Sequence, residues 1–338
     1  MKNTIVGKAL SVAAALSFAV PSFAQETSLT FATVNPPSAH LTVNILVPWA
    51  QKVNETGKGV VKLDIRDGLT LANLGNAYDR VLSDVIQVAW TIHGAVGGKF
   101  SKTDVVALPF LSPASSEDGS VVLWRLYKSG LLDSEYDEVV PLYLCQITQS
   151  GLHFAKTPKS LDTLTGTKLI VPSRIVGMTG SRLGATPASI SLNEMYEAIQ
   201  RGTVDGVMTG WTAFQPFKLA EVTTYHIDAS LGASTGMVFM SKKKWNTLSP
   251  AVKKVLEANS GEAQSKAFGT FWDRIIEEGR AEVRKSGKHT IVNLSAEQDK
   301  KWQATIAPVV QEWTKTTPDG DKVLSAYRGL LQKVRAGG

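Results

Sequence analysis

Short apolar runs alternate with segments of helical spacing along most of the chain. The run "SLTFAT" is followed by a helical stretch over 38–55, and Pro48 predicts a kink within it. "VVKLDIR" sets Lys62, Asp64 and Arg66 against Leu63 and Ile65, the period of two of a half-buried strand. A helix near 73–82 leads into "VIQVAW". "DVVALPF" and "PLYLCQI" read as strands on either side of a helix near 117–130. A second series starts at "GLHFAK" and continues through "KLIVP", "TPASI" and "VDGVM". Strands that alternate with helices imply βαβ units, an α/β fold and mostly parallel sheets.

Two helical segments carry sharper signals. In "NEMYEAIQRGTVDGVMTGW", Met195, Ala198 and Ile199 form an apolar face, Gly202 closes the helix, and a strand restarts at Val204. In the segment from Leu248 onward, Ser249 suits an N-cap and Pro250 the first helical turn. Helical spacing then continues to about Ser286. At about 1.5 Å per residue this predicts a rod of roughly 50 Å, longer than one small domain is wide, so it must lie along two lobes. The alternative is two consecutive helices broken at Ser260-Gly261. Elsewhere, Pro172 stops the strand "KLIVP" and Ser173 is placed to cap the helix that follows.

Length supports two lobes, since 338 residues exceed one ordinary domain. The first 24 residues read as a secretory signal peptide. Lys2 and Lys8 form its basic start, 9–20 is apolar, and Ser22-Phe23-Ala24 offers the small residues before a cut, placing the mature terminus at Gln25 and the product outside the cytoplasm. Removing Lys2 and Lys8 lowers the net charge from +6 to +4. That excess is spread without a block of like charges, which argues against nucleic-acid or membrane-surface binding. The one cysteine, Cys145, lies in an apolar run and reads as a buried core residue.

Few motifs suggest catalysis or metal binding. Gly232-Ala233-Ser234-Thr235-Gly236 fits G-x-S-x-G, but a strand pattern follows it, where a nucleophile elbow needs a helix. His40, His93, His153, His226 and His289 are scattered, without metal-ligand spacing, and no cofactor fingerprint is present. Three residues stand out by position instead. Trp90, Arg174 and Trp211 each come at or just after the carboxyl end of a strand, where open α/β sheets bind ligands. The alternatives are a surface salt bridge for Arg174 and ordinary packing for each tryptophan.

The residues also resemble a known family, the extracytoplasmic solute-binding subunits of tripartite ATP-independent periplasmic (TRAP) transporters. The stretch from Tyr78 to Leu111 is similar to the family's first-lobe segment ending in Leu-Pro-Phe. Leu183-Gly184-Ala185, Pro187, Glu194, Ala198, Gln200-Arg201-Gly202 and Asp205-Gly206 match its second-lobe signature. The resemblance spans the mature chain. It implies a two-lobed periplasmic binding protein fold that is not an enzyme. It also implies a cleft that closes on an organic acid, and delivery to integral membrane subunits. The expected lobes are 25–149 plus about 231–265, and 150–230 plus about 266–338. The expected protein is a monomer, with neither cofactor nor metal.

There are departures from the family pattern. Ile170 stands where the family usually has a carboxylate-binding arginine, and Thr209 where an asparagine is common. Val207-Met208-Thr209-Gly210 replaces Gln-Glu-Asn-Pro, and Asp84 and Gln87 replace a frequent Gly and Asp. The pocket is therefore expected to be less polar than in dicarboxylate binders. Arg174 becomes the expected carboxylate anchor, through its two-pronged guanidinium and the following helix N-terminus. Trp90 and Trp211 are the expected apolar walls, with Thr209, His93 and His40 adding polar contacts. The rival readings are an exported enzyme on a similar fold and a ligand sensor that works without a transporter.

Overall fold

The computed structural model describes residues 25–338, so the leader expected at 1–24 lies outside the described residues. The strands in chain order are β1 (Thr27–Ala32), β2 (Val61–Arg66), β3 (Val88–Ile92), β4 (Val139–Gln149), β5 (Gly151–Phe154), β6 (Lys168–Ile170), β7 (Thr186–Ala188), β8 (Gly206–Thr209), β9 (Tyr225–Asp228), β10 (Ala233–Ser241) and β11 (Thr290–Asn293). The helices are α1 (Val47–Thr56), α2 (Ala77–Leu82), α3 (Ser116–Lys128), α4 (Arg174–Arg182), α5 (Met195–Gln200), α6 (Lys242–Thr247), α7 (Pro250–Ala258), α8 (Gly261–Lys285), α9 (Ala296–Ile306), α10 (Pro308–Thr316) and α11 (Gly320–Arg335).

The strands form two sheets, ordered β2-β1-β3-β10-β4 and β11-β9-β5-β8-β6-β7. Both are mixed but mostly parallel, as expected. In each, one strand runs against its two neighbours: β10 against β3 and β4, and β5 against β8 and β9. These two strands adjoin the crossings between sheets. β4 passes into β5 through Ser150 alone, and the chain returns through Gly232 into β10. At the crossing the two segments bond to each other: the Ser150 amide donates to the Gly232 carbonyl (2.6 Å) and the Leu231 amide to the Ser150 carbonyl (3.1 Å).

Side-chain caps account for five of the eleven described helix starts. The side chains of Ser115, Ser173, Ser241 and Ser249 each accept a backbone N–H from the first turn of the helix they precede. Ser295 and Gln298 form a reciprocal capping box at α9. The disturbance expected from Pro48 takes the form of a π turn, Thr42–Leu46. It opens the hydrogen-bond ladder just ahead of a residue with no N–H to give.

Two expectations change. "DVVALPF" holds no strand; Thr103–Ala107 is a 3-10 helix. The Glu135 carboxylate accepts the backbone N–H groups of Lys102 and Thr103 and the Thr103 hydroxyl, bending the chain there. Val105, Val106, Ala107 and Leu108 are all buried, so no alternation could mark the conformation. The long helix also divides, as the alternative had it. Asn259 and Ser260 interrupt it, with the Asn259 carbonyl accepting the Trp49 indole N–H (2.7 Å) and its side chain tied to Thr56 and Val255. The rod is α8 alone, 25 residues and about 38 Å. It packs along α3 and β4 of the first sheet and reaches the turn Trp211–Ala213 beside the second.

The first core is an aromatic chain in which Phe31, Trp49, Tyr143, Phe268 and Trp90 meet in sequence at centroid distances of 5.3–6.1 Å. α8 is seated on it closely. Gly269 lies so near the start of α3 that a Cβ would overlap Glu117 Cα and the Ser116 carbonyl. One turn on, the Asp273 carboxylate accepts the Ser116 amide (2.6 Å), the Ser115 hydroxyl (2.8 Å) and the Glu117 amide (3.2 Å), taking the exposed donors of α3's first turn.

That contact is backbone against backbone, so no rotamer change can relieve it. Gly269→Ala should therefore destabilise the fold by about 1–3 kcal/mol, the usual range for overpacking. Urea unfolding should show a lower midpoint with an unchanged slope. A midpoint equal to wild type would mean that α8 is seated less tightly than described.

Candidate ligand-binding cleft

A cavity of about 100 Å³ lies between the two sheets. Its first wall comprises Asn35, Ala39, His40 and Leu41 from the segment after β1, Leu74, Trp90 and Ile92 of β3, Ile147 and Thr148 of β4, and Ser234 of β10. The opposite wall is Pro172 after β6, Thr209 at the end of β8, and Thr212, Ala213, Pro216 and Phe217 beyond it. Trp272 of α8 completes the lining. β3, β6 and β8 all present their carboxyl ends here, where dipoles and loops favour ligand sites in open α/β sheets. Ser234 of the G-x-S-x-G match sits on this wall within a strand, not at a strand-to-helix elbow.

The cavity brings together three of the six residues expected from the sequence: Trp90, Thr209 and His40. Trp211, His93 and Arg174 do not line it. The Trp211 ring packs behind the wall against His153 and Phe214, and its N–H points to Asp228 Oδ1 at 3.4 Å. His93 is buried between the Thr235 hydroxyl (3.0 Å) and the Tyr136 hydroxyl (2.9 Å). Burial lowers its pKa to about 3. Arg174 begins α4 with its side chain 44% exposed, its Nε 3.9 Å from Asp104 Oδ2. Ser173 caps α4 as expected, but the guanidinium turns to the lip of the cleft, toward the first lobe.

Asp104 is largely buried, and desolvation raises its pKa to about 7 despite the opposing pull of Arg174. The lip is closed there. A Cβ on Gly94 would stand 2.9 Å from the Pro172 carbonyl, so only glycine lets these segments meet. Among the described residues, no lysine or arginine lines the cavity itself.

Behind Thr209 lies a feature that the spacing of the histidines did not reveal. His153 Nε2 is 3.0 Å from the Thr209 carbonyl, His153 Nδ1 is 3.1 Å from His226 Nδ1, and His226 Nε2 is 3.0 Å from His289 Nδ1. The carbonyl can only accept, so His153 carries its proton on Nε2. His226 then donates from Nδ1, and His289 donates in turn. A directional file of neutral imidazoles thus runs to the cavity wall. Burial, with the neighbouring ring adding to it, lowers His153 to about 3 and His226 to about 4. His153 and His226 are cross-strand partners on β5 and β9, a register no linear spacing displays. Among the described residues, no cluster of His, Cys, Asp and Glu could hold a metal ion.

Comparison with known proteins agrees with this geometry. Residues 31–316 match the family model for bacterial extracellular solute-binding proteins, family 7 (DctP). The chain is 29% identical over 332 residues to the "Outer membrane transporter protein TsaT" of Comamonas testosteroni, covering 93% of this chain and 95% of that one. A marine-metagenome TRAP solute-binding protein specific for aromatic acid ligands, solved with 3-hydroxybenzoate, superposes with a TM-score of 0.85. It is 27% identical, over 92% of this chain and 99% of its own. A TRAP solute-binding protein from Rhodoferax ferrireducens T118, solved with copurified benzoate, gives a TM-score of 0.85 at 25% identity, over 92% and 100%.

The buried histidines set a pH dependence of stability. His93, His153 and His226 refuse protons in the folded state until about pH 3–4, whereas the unfolded chain takes them up near 6.5. Their contribution is complete above about pH 6.5 and is lost as pH falls toward 4. Asp104, holding its proton to about pH 7 when folded, and Glu135, its pKa also raised by burial, work in the opposite sense, but they are two groups against these three and His289, which burial lowers as well. Urea midpoints should fall between pH 7 and pH 5, and less steeply in His153→Gln. Equal midpoints at both pH values would show that these histidines accept protons in the folded state.

Proposed function

Because the chain belongs to family 7 of the bacterial extracellular solute-binding proteins, a TRAP-associated class that captures small organic acids, we propose that its ligand is an aromatic monocarboxylate held between the two sheets. The observation that carries this reading is the cavity wall. Trp90, Trp272 and Phe217, with Leu74, Ile92 and Ile147, present apolar faces fit for a ring, and no lysine or arginine stands among them. A dicarboxylate would bring two charges to that wall. A ring with one carboxylate brings one and buries the remainder favourably. The two relatives solved with 3-hydroxybenzoate and benzoate support the same class.

In this reading Trp90, Thr209 and His40 contact the ligand, joined by the hydroxyls of Thr212 and Ser234. Trp211 and His93 act from behind the wall by fixing its shape. Arg174 acts at the lip, where its contact with Asp104 favours the closed arrangement. The lobes we assign are 25–149 with 231 through the first half of α8 and with α11, and 150–230 with the segment that carries β11. The return of β10 to the first sheet and of β11 to the second supports that division, and the seating of Phe268, Gly269 and Asp273 on the first core and of α11 on α3 moves the boundary beyond the expected 265.

The family's TRAP association makes integral membrane subunits the recipient of the ligand. We take the binding unit to be a monomer, exported with cleavage near Ala24, with no catalytic step and no cofactor. No helix among the described residues is long and apolar enough to cross a membrane.

Thermal-shift measurements on refolded protein test the ligand class. Benzoate and 3-hydroxybenzoate should raise Tm, and succinate should not. Stabilisation by succinate with no response to either aromatic acid would refute the aromatic reading.

Calorimetry on Arg174→Ala tests the lip. A half-exposed ion pair is worth about 1 kcal/mol or less, so affinity should fall by less than about tenfold. A loss of a hundredfold or more would place the guanidinium on the ligand itself.

A further inference from the structure

The described tryptophans differ in what their indole N–H groups do. Trp49, Trp302 and Trp313 are buried, and each donates to a backbone carbonyl: Asn259 at 2.7 Å, Leu161 at 2.9 Å and Ser101 at 2.8 Å. Trp211 reaches the Asp228 carboxylate at 3.4 Å. Trp272 is 5% exposed, and its Nε1–H has no acceptor in the protein. A phenylalanine would pack here without leaving a buried donor unsatisfied, so the fold itself gains nothing from this nitrogen. Trp272 is also the residue that α8 contributes to the cavity lining.

Its position is fixed from both sides along the helix. Gly269, three residues earlier, sets the backbone of α8 against the start of α3. Asp273, the next residue, fixes rotation through its three hydrogen bonds to Ser115, Ser116 and Glu117. Phe268 meets the Trp272 ring edge-on at 5.8 Å. The indole is therefore a preorganised donor, and preorganised donors contribute most where water is excluded and cations are absent.

We propose that Trp272 is a specificity-determining residue whose Nε1–H donates to an oxygen of the bound acid. The inference rests on the cleft between the sheets being the binding site, but not on the ligand being aromatic. The acceptor chemistry is an anionic or hydroxyl oxygen. A carboxylate and a ring hydroxyl both supply it, and the ligands used in the test separate them.

Calorimetry would compare wild type with Trp272→Phe, using benzoate, 3-hydroxybenzoate and succinate, with the acid of largest thermal shift as the deciding probe. If that acid is succinate, the aromatic reading falls while Trp272 is still judged, with succinate as the probe. The variant should stay folded, with a ligand-free Tm lowered only modestly by the smaller ring, and bind about tenfold or more weakly. An equal loss for benzoate and 3-hydroxybenzoate assigns the carboxylate as acceptor; a loss confined to 3-hydroxybenzoate assigns the ring hydroxyl. In wild type labelled with ¹⁵N-tryptophan, the indole signal absent from Trp272→Phe should move downfield on saturation, a response that packing alone would not produce. Affinity within about twofold of wild type, or a Trp272 signal that stays in place on saturation, would overturn the proposal.

Discussion

The two hydrogen bonds between Ser150 and the 231–232 segment hold the two sheets in one register. They join the outgoing and returning connections between the sheets, and they lie in a buried place where water cannot compete, Ser150 and Leu231 being 1% and 0% exposed. Bonded in this way, the two connections cannot slide past each other without breaking both contacts. The remaining freedom is bending about them. α8 crosses elsewhere, anchored on α3 and in contact with the Trp211–Ala213 turn. A cleft between two sheets tied in this manner has a fixed register, so residues distant in sequence can meet within it reproducibly.

That register decides how a negative charge is received. An anion buried without partners is costly, and a cation in the wall is the usual remedy. Here the cations stay at the margin. Arg174 turns to Asp104 at the lip, and Arg280 pairs with Asp228 behind Trp211 at 2.8 Å. The wall offers the hydroxyls of Thr148, Thr209, Thr212 and Ser234 and the indoles of Trp90 and Trp272 instead. Neutral donors attract an anion less strongly at a distance, but they need no counter-charge of their own and sit beside aromatic faces at little cost in desolvation. Such a wall favours ligands with one charge and a large apolar remainder.

Much of the fold was legible because its signals are local. Ser173 and Ser249 declare helix starts, and the run "SLTFAT" declares a strand, through contacts within a few residues. "DVVALPF" misled because its turn is imposed by Glu135, about thirty residues away, within a run buried on all sides. The break before α8 rests on Trp49 binding the Asn259 carbonyl, a pair 210 positions apart. At the site, position at strand ends singled out Trp90, Arg174 and Trp211, of which Trp90 lines the cavity, while Thr209, noted only as standing in place of the family's asparagine, lines it too. Position alone could not separate Trp90 from Arg174 and Trp211, whose side chains leave in other directions. Trp272 was hidden by its own helix, because Phe268, Phe271, Trp272 and Ile275 form an ordinary buried stripe. Only the missing acceptor distinguishes it from core.

The division between lip and cavity bears on how ligand and closure are coupled. A ligand shifts a conformational equilibrium only by its difference in affinity for the two states. A molecule in this cavity touches Trp90 and Ile92 on one wall and Thr209 and Phe217 on the other, and it can do so only when the walls are near. The contacts of Gly94 with Pro172 and of Asp104 with Arg174 involve protein alone, so they set how readily the walls approach before any ligand arrives. Were the lip pair strong, the protein would close by itself and exclude its ligand. A single half-exposed pair at 3.9 Å is weak enough to leave that decision to the ligand. On the proposed reading, an arginine at the lip and hydroxyls and indoles within are two parts of one arrangement: the closed state is made accessible by the protein and made dominant by what it holds.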